Sequence, residues 1–475
     1  MSAVEDQNLT QVPPSRRQGF GSGFRLLWWS NLTFFGGAWM LTLVLGWMVY
    51  DISGSAVALG LFGACRMAPL LLGPVGGVLA DRMHRGRLLV AANWWALAGT
   101  VATATVASVA VPAVWLLCVA GAVVGLAQSP SQPARSTLVL DLVGRDKVSS
   151  ANAMNALAMN VTQVIGPAVG GAVMAALGST AGLWLAALLF ALSLGLFWPL
   201  RRIGAVTPGT HAAHGPRLSG GRASIAGVER GTSVAPRSAA TPERTVSLSG
   251  GRASIAGAES RSAAQYPQGS AATPERTSGL SQVMRNHVVV GALLVTLCAN
   301  ILIWPILNSF MPAFADQQLG WDVKGLGLLL ACHGIGGLVG ALTVAALGNF
   351  RYKGLLFVAG TIAWGLAWGA VALSHTGWLS LVLISVVGLL SAPFGVLQTT
   401  LLLLATPNGH QGKVLGLQEL AIGAMPLAAL AIGAAAARWG LGPTTMVCGL
   451  TLAVAVTLLA LVFRSLPRFR GIEGS

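Results

Sequence analysis

What most constrains this chain is a series of long apolar runs separated by short polar gaps. A helix needs about 20 apolar residues, at 1.5 Å each, to cross the hydrocarbon core of a bilayer. Twelve runs are of that order: 26–50, 56–80, 88–110, 112–134, 151–177, 179–200, 287–311, 325–348, 354–374, 377–405, 413–436 and 441–463. Surface area grows too fast with mass for a soluble fold of this size to hide them all. Only 9% of the 475 residues are charged and 54% are hydrophobic, with a mean hydropathy of +0.71; an average soluble domain carries roughly 25% charged residues. An ordinary soluble enzyme, a disordered protein and a disulfide-stapled secreted domain are excluded. In lipid the backbone must satisfy its own polar groups, so the expected fold class is an all-α membrane protein with twelve transmembrane helices.

Charge placement sets the expected topology. The net charge of +15 would suggest nucleic acid on a soluble protein. Here the charges sit between the runs, so no nucleic-acid partner is expected. With both termini on one side, 26 of the 29 Lys and Arg residues fall in gaps on that side; without the long central gap the ratio is 15 against 2. Cytoplasmic loops carry such an excess, so both termini are expected in the cytoplasm of a multi-pass inner-membrane protein. Residues 1–23 are polar, and the first apolar run is too long for a cleavable signal. The cysteines at 65, 118, 298, 332 and 448 are scattered through apolar runs without a CxxC, so neither a disulfide framework nor a zinc site is expected. There is no GxxxxGK[ST] loop, nucleophile elbow or metal-ligand cluster. No cofactor and no enzymatic activity are expected, which leaves an ion gradient, most simply of protons, as the energy source.

The one long gap, 203–284, is rich in Ser, Ala, Gly, Pro and Arg. LSGGRASIAG occurs at Leu218–Gly227 and again at Leu248–Gly257, and SAATPERT at Ser238–Thr245 and Ser270–Thr277. Two copies without an apolar face cannot stack into a solenoid. The segment reads as a duplicated, disordered cytoplasmic linker; contact of its arginines with anionic headgroups is the alternative. It divides the chain into a tail (1–23), a six-helix bundle (24–202), the linker, a second six-helix bundle (285–464) and a short tail (465–475).

The gap after the second run reads Gly77-Val78-Leu79-Ala80-Asp81-Arg82-Met83-His84-Arg85-Gly86-Arg87. It resembles the signature loop of the major facilitator superfamily, G-x-L-a-D-r-x-G-r-[kr], through Gly77, Leu79, Asp81, Arg82 and Arg85. His84 replaces the second glycine, and the next basic residue is displaced to Arg87. The fifth run carries Gly166, Pro167, Gly170 and Gly171, which resemble the G-P-x-x-G-G element of exporters in that superfamily. Proline removes a backbone donor and glycines admit a neighbouring helix. Longer stretches are similar to the enterobactin-exporter and macrolide-efflux branch: Pro133-Ala134-Arg135, Asp141-Leu142-Val143, Ala151-Asn152-Ala153, Val49-Tyr50-Asp51 and Gly412-Lys413-Val414. The resemblance implies two pseudo-symmetric six-helix bundles that rock about a central site. It also implies that Asp81, at a helix N-terminus, latches the cytoplasmic gate against the span that begins near Lys413. Gly166, Pro167, Gly170 and Gly171 would shape an outer gate, for which the GxxxG of Gly336 and Gly340 offers a partner.

Ionisable and amide side chains inside apolar runs are costly and mark functional positions. Arg66, Glu419, Asp51 and His333 are such residues, each with a structural alternative: a snorkelling arginine, an edge contact, an interfacial acid, a packed histidine. Asn160 and Gln163 share a helix face and, with Asn31, Asn300 and Asn308, are expected to line a central cavity or else to join helices by hydrogen bonds. Arg66 and Glu419 complete the candidate substrate or coupling set. Trp39, Trp304, Trp364 and Trp368 could offer stacking surfaces, while Trp28, Trp29 and Trp378 read as interface anchors. The resemblance implies a monomeric, lipid-embedded secondary exporter of a bulky amphipathic small molecule, siderophore or drug-like. A lipid flippase on the same frame and a transport-inactive scaffold or sensor are the alternatives.

Overall fold

The computed structural model describes residues 21–72, 85–143, 148–202, 285–348, 350–407 and 410–470. The linker and most of the signature loop, including Gly77, Leu79, Asp81 and Arg82, lie outside the described residues. The described residues form helices and joints. In chain order they are α1 (Ser22–Ser53), α2 (Ala56–Met67), α3 (Arg85–Val109), α4 (Val114–Val143), α5 (Val148–Leu177) and α6 (Ser179–Phe197). Then follow α7 (His287–Leu319), α8 (Val323–Ala346), α9 (Lys353–Ala372), α10 (Gly377–Ala405), α11 (Gln411–Trp439) and α12 (Leu441–Val462). Ten helices among the described residues are long and apolar enough to cross a membrane; a shorter apolar helix, Ala56–Met67, holds the second place, and the apolar stretch of α4, Val114–Ser129, the fourth. The end of the molecule bearing Ser22, His287 and Val462 is called the tail side below, and the opposite end the far side.

Glycine joints repeat in the two halves. Gly54 closes α1 at φ 58° and Gly320 closes α7 at φ 64°, a left-handed conformation that glycine enters without Cβ strain. Helix N-caps follow: the Ser55 hydroxyl accepts from the Ala58 N–H, and the Asp322 carboxylate accepts from the N–H groups of Lys324 and Gly325. Gly178 alone joins α5 to α6 at φ 84°, and Gly440 alone joins α11 to α12 at φ 85°. Identical joints at matching places are what an internal structural repeat requires. Two spans are interrupted. In α7 the helix stops at Leu302, passes Pro305 and resumes through a π-helical turn, Ile306–Phe310; the missing proline N–H and its ring break the helical ladder. In α11 the break falls at Ala424, before Met425 and Pro426.

The helix α4 corrects one expectation. The fourth apolar run ends at 134, which would leave Arg135 in a gap, yet α4 continues to Val143 and buries Arg135 completely. The extension packs Ala134, Leu138 and Val139 among Phe24, Leu88, Leu89, Ala151 and Phe197 on the tail side of the first bundle. Tertiary burial of that apolar stripe overrides the local dilution by Pro133, Arg135 and Asp141.

The halves meet along glycine seams. A Cβ at Gly171 would lie 2.9 Å from the Gly327 Cα and the Val323 carbonyl, one at Gly327 would lie 2.8 Å from the Pro167 carbonyl, and one at Gly334 2.8 Å from Val164. So α5 and α8 touch backbone to backbone over their far-side halves. Across the molecule, Gly60 of α2 meets the Ala429 carbonyl and Gly433 of α11 in the same manner. Gly336 and Gly340 do not serve the α5 seam. Their Cα atoms face the Ser385 and Leu389 carbonyls of α10, inside the second bundle. The reason is helical phase: Gly327 and Gly334 are seven apart and share one face, and Gly336 and Gly340 lie on the opposite one.

Candidate functional site

A cavity lies at the meeting of α1, α5, α7 and α8. Trp39, Gln163, Trp304, Asn308 and His333 are in its wall, beside the kinking Pro167. The breaks in α7 and the proline in α5 therefore fall at the cavity. The Asn308 Nδ2 donates to the Trp304 carbonyl, 2.9 Å away, a backbone group near the broken ladder. His333 is buried, and its Nε2 has no partner among the described residues. Only about 40 Å³ is open to the centre of a water molecule, room for a few waters. Toward the far side, the Tyr50 hydroxyl of α1 donates to the Asp316 carboxylate of α7 at 2.7 Å.

A second polar cluster sits toward the tail side of the first bundle. The Arg135 Nη1 donates to the Asn31 Oδ1, and the Asn31 Nδ2 donates to the Asn155 Oδ1 at 2.6 Å. The Arg135 guanidinium rests 4.4 Å from the Phe34 ring centre and 5.4 Å from that of Phe35. Behind α1, the Ser30 hydroxyl donates to the Ser193 carbonyl at 3.1 Å and the Ser193 hydroxyl donates to the Asn93 Oδ1 at 2.9 Å. These bonds link α1, α3, α4, α5 and α6.

The other expected residues are dispersed. Asn300 is buried but spends its Nδ2 on the Thr296 carbonyl of its own helix at 2.8 Å, away from the cavity wall. Asn160 is half-buried on α5, outside that wall. Arg66 is buried against α4, where its carbonyl and Cβ face Gly125 and Gly121. Its Nη1 lies 3.9 Å from the Met67 sulfur. Glu419 and Asp51 are exposed. Arg85 begins α3, and Arg87 is exposed on its first turn. Gly166 and Gly170 face α1 at Trp39 and Met40, while Gly171 faces α8. Trp364 and Trp368 are core residues of the second bundle, fully buried; Trp364 meets Trp304 edge to face at 5.8 Å. Of the expected substrate or coupling set, the structure brings Gln163 and Asn308 to the cavity and Asn31 to the arginine cluster. The partnership of Asn31 with Arg135 was not foreseen, nor was the Tyr50–Asp316 bond. The apolar stripe of Ala134, Leu138 and Leu142, at helical spacing through the PAR stretch, is the signal that could have placed Arg135 inside.

The profile of the Major Facilitator Superfamily matches residues 27–429. The multidrug efflux pump Tap of Mycolicibacterium fortuitum is 24% identical, over 94% of this chain and 96% of its own length. The enterobactin exporter EntS of Citrobacter koseri is 26% identical, over 88% of this chain and 83% of its own. A solved peptide transporter, POT with bound sulfate, aligns at a TM-score of 0.65 with 15% identity, over 95% of this chain and 96% of that one. The nucleoside transporter NupG aligns at 0.65 with 12% identity, over 94% and 100%. At such low identity the solved structures speak for the fold, and the profile match over most of the chain decides the family. The chain belongs to the Major Facilitator Superfamily and is a multi-pass membrane protein of that transporter family.

Proposed function

We propose that this chain is a secondary active efflux transporter of the inner membrane that carries a bulky amphipathic small molecule, of siderophore or drug-like class, by alternating access. The observation that carries the proposal is the nearly full-length similarity to an efflux pump and to a siderophore exporter, joined to a central cavity walled by both halves. The tail side is the cytoplasmic side, and Tyr50 and Asp316 belong to the outer closure. Trp39 and Trp304 supply apolar, stackable wall, and Gln163 and Asn308 supply hydrogen bonds, a composition suited to an amphipathic cargo. Rocking of one bundle against the other opens the α5–α8 and α2–α11 seams outward and closes the cytoplasmic side, where Asp81, Arg82, Arg85 and Arg87 act as a latch. Proton exchange supplies the energy, and the monomer is the working unit. His333 is the titratable group of the cavity wall, so it is the proposed coupling residue.

A broad compound-sensitivity screen of a deletion strain tests the reading. The strain is expected to be hypersensitive to a set of amphipathic compounds and to accumulate them. A protonophore is expected to raise wild-type accumulation to the deletion level. Unchanged sensitivity across the screen, with unchanged accumulation, would overturn the efflux reading.

A second reading has one observation in its favour. An apolar groove, with Ile301 of α7, Ala431 of α11 and Val447 of α12 in its wall, opens on the side of the second bundle. A lateral groove of that kind suits an acyl chain, as a lipid flippase would need. An altered lipid composition in the deletion strain, without drug hypersensitivity, would select it.

A further inference from the structure

A buried guanidinium without a full set of partners is an expensive object in a protein interior. Arg135 has 0% of its surface exposed, and its Nε and Nη2 have no partner among the described residues. Its polar partner among the described residues is Asn31, through Nη1, and its remaining neighbours include two phenyl faces. Those rings attract a cation but accept few of its hydrogen bonds. The unpaired Nε–Nη2 edge is the fork that binds a carboxylate through two parallel hydrogen bonds. Natural sequences retain unpaired buried charge chiefly where a function requires it.

The place of this edge in the fold gives it a use. Asn31, Phe35, Trp39, Thr42 and Gly46 follow one another along one face of α1, and Asn155, Met159 and Gln163 along one face of α5. The far-side members of both stripes wall the central cavity, and the tail-side members hold Arg135. Eight residues separate Asn31 from Trp39, about 12 Å along the helix. A bulky amphipathic molecule can therefore lay its apolar body against Trp39 and its head toward Arg135, once α1 and α5 part at the Asn31–Asn155 bond.

We propose that Arg135, with Asn31, forms an anion subsite for a carboxylate-bearing cargo, the charged end of the transport path. It rests on the efflux reading for the direction of travel, although binding at the subsite does not depend on that reading. Removing an unpaired buried charge is expected to leave the fold intact or make it more stable. A structural arginine would behave in the opposite way.

The test uses the full chain in lipid nanodiscs, with thermal unfolding followed by tryptophan fluorescence. Salicylate and salicylamide are the probes, alike in ring and size and different in charge. Saturating salicylate is expected to raise the wild-type melting temperature by about 2–4 °C, and salicylamide is expected to leave it unchanged. Arg135→Gln is expected to melt at or above the wild-type temperature and to lose the salicylate shift. Asn31→Asp places a carboxylate inside the protein beside the guanidinium; it is expected to raise the melting temperature and to silence salicylate, which keeps the test sound if Arg135→Gln folds poorly. The proposal is overturned if salicylate fails to shift the wild type, or if either variant responds as the wild type does. It is also overturned if inorganic phosphate matches salicylate, since the subsite would then suit a phosphate such as a lipid headgroup. No readout here involves transport, so a negative compound screen would remove the efflux reading and leave the subsite standing.

Discussion

Single residues divide by where their hydrogen bonds go. Asn300 and Asn308 were equivalent in sequence, two amides in one apolar run. In the fold, Asn300 donates to the Thr296 carbonyl and stays off the cavity wall, whereas Asn308 bonds at the helix break and reaches it. Asn300→Ala is therefore expected to cost about 1 kcal/mol of stability and to leave the range of exported compounds unchanged, as read in a sensitivity screen; a changed range would return Asn300 to the path. His333 carries the opposite expectation. This imidazole is an ionisable side chain in the cavity wall, and its Nε2 has no partner among the described residues. In everted vesicles, His333→Gln is expected to abolish the dependence of export on an imposed pH difference while membrane abundance stays normal. Export by that variant that still follows the gradient would assign coupling to another group. Sequence inspection flags such residues by polarity alone; it does not reveal the helical phase and partners that separate a cavity residue from a satisfied core amide.

At the scale of elements, much was readable in advance. Apolar length located the helices, because the bilayer sets that length. Two things were not readable. The extent of α4 depends on neighbours that bury Leu138 and Val139, and hydropathy windows carry no tertiary information. The partner of the Gly336–Gly340 stripe was mistaken for α5, because a GxxxG spacing shows that a close approach occurs and not which helix makes it. The seams support two predictions. Gly327→Leu sets a side chain against the Pro167 carbonyl and Gly171, so outer closure is expected to fail and export to stop. Normal export by that variant would show that α5 and α8 need not touch. Tyr50→Phe removes the bond to Asp316, a charge-assisted contact whose loss is expected to shift the balance of states toward outward-open by about tenfold. The check is faster thiol labelling of a cysteine placed in the cavity wall; an unchanged rate would contradict the role of the bond in closure.

For the whole molecule, two bundles with glycine joints at matching places meet around a cavity, and the proposed closure lies on the far side. The proposed latch on the tail side rests on a resemblance alone, since Asp81 and Arg82 lie outside the described residues. Its test is Asp81→Asn, expected to abolish efflux in everted vesicles with abundance unchanged; wild-type efflux would remove the latch. The central claim is that the bundles rock so that one side opens as the other shuts. Spin-label distances test it most directly, measured in nanodiscs on two pairs in a cysteine-depleted chain. One pair spans the halves on the far side, at Val109 and Leu373; the other spans them on the tail side, at Arg87 and Tyr352, all exposed positions. Conditions which drive export are expected to lengthen the far-side distance and to shorten the tail-side distance. Distances that stay fixed, or that change together in the same sense, would contradict it.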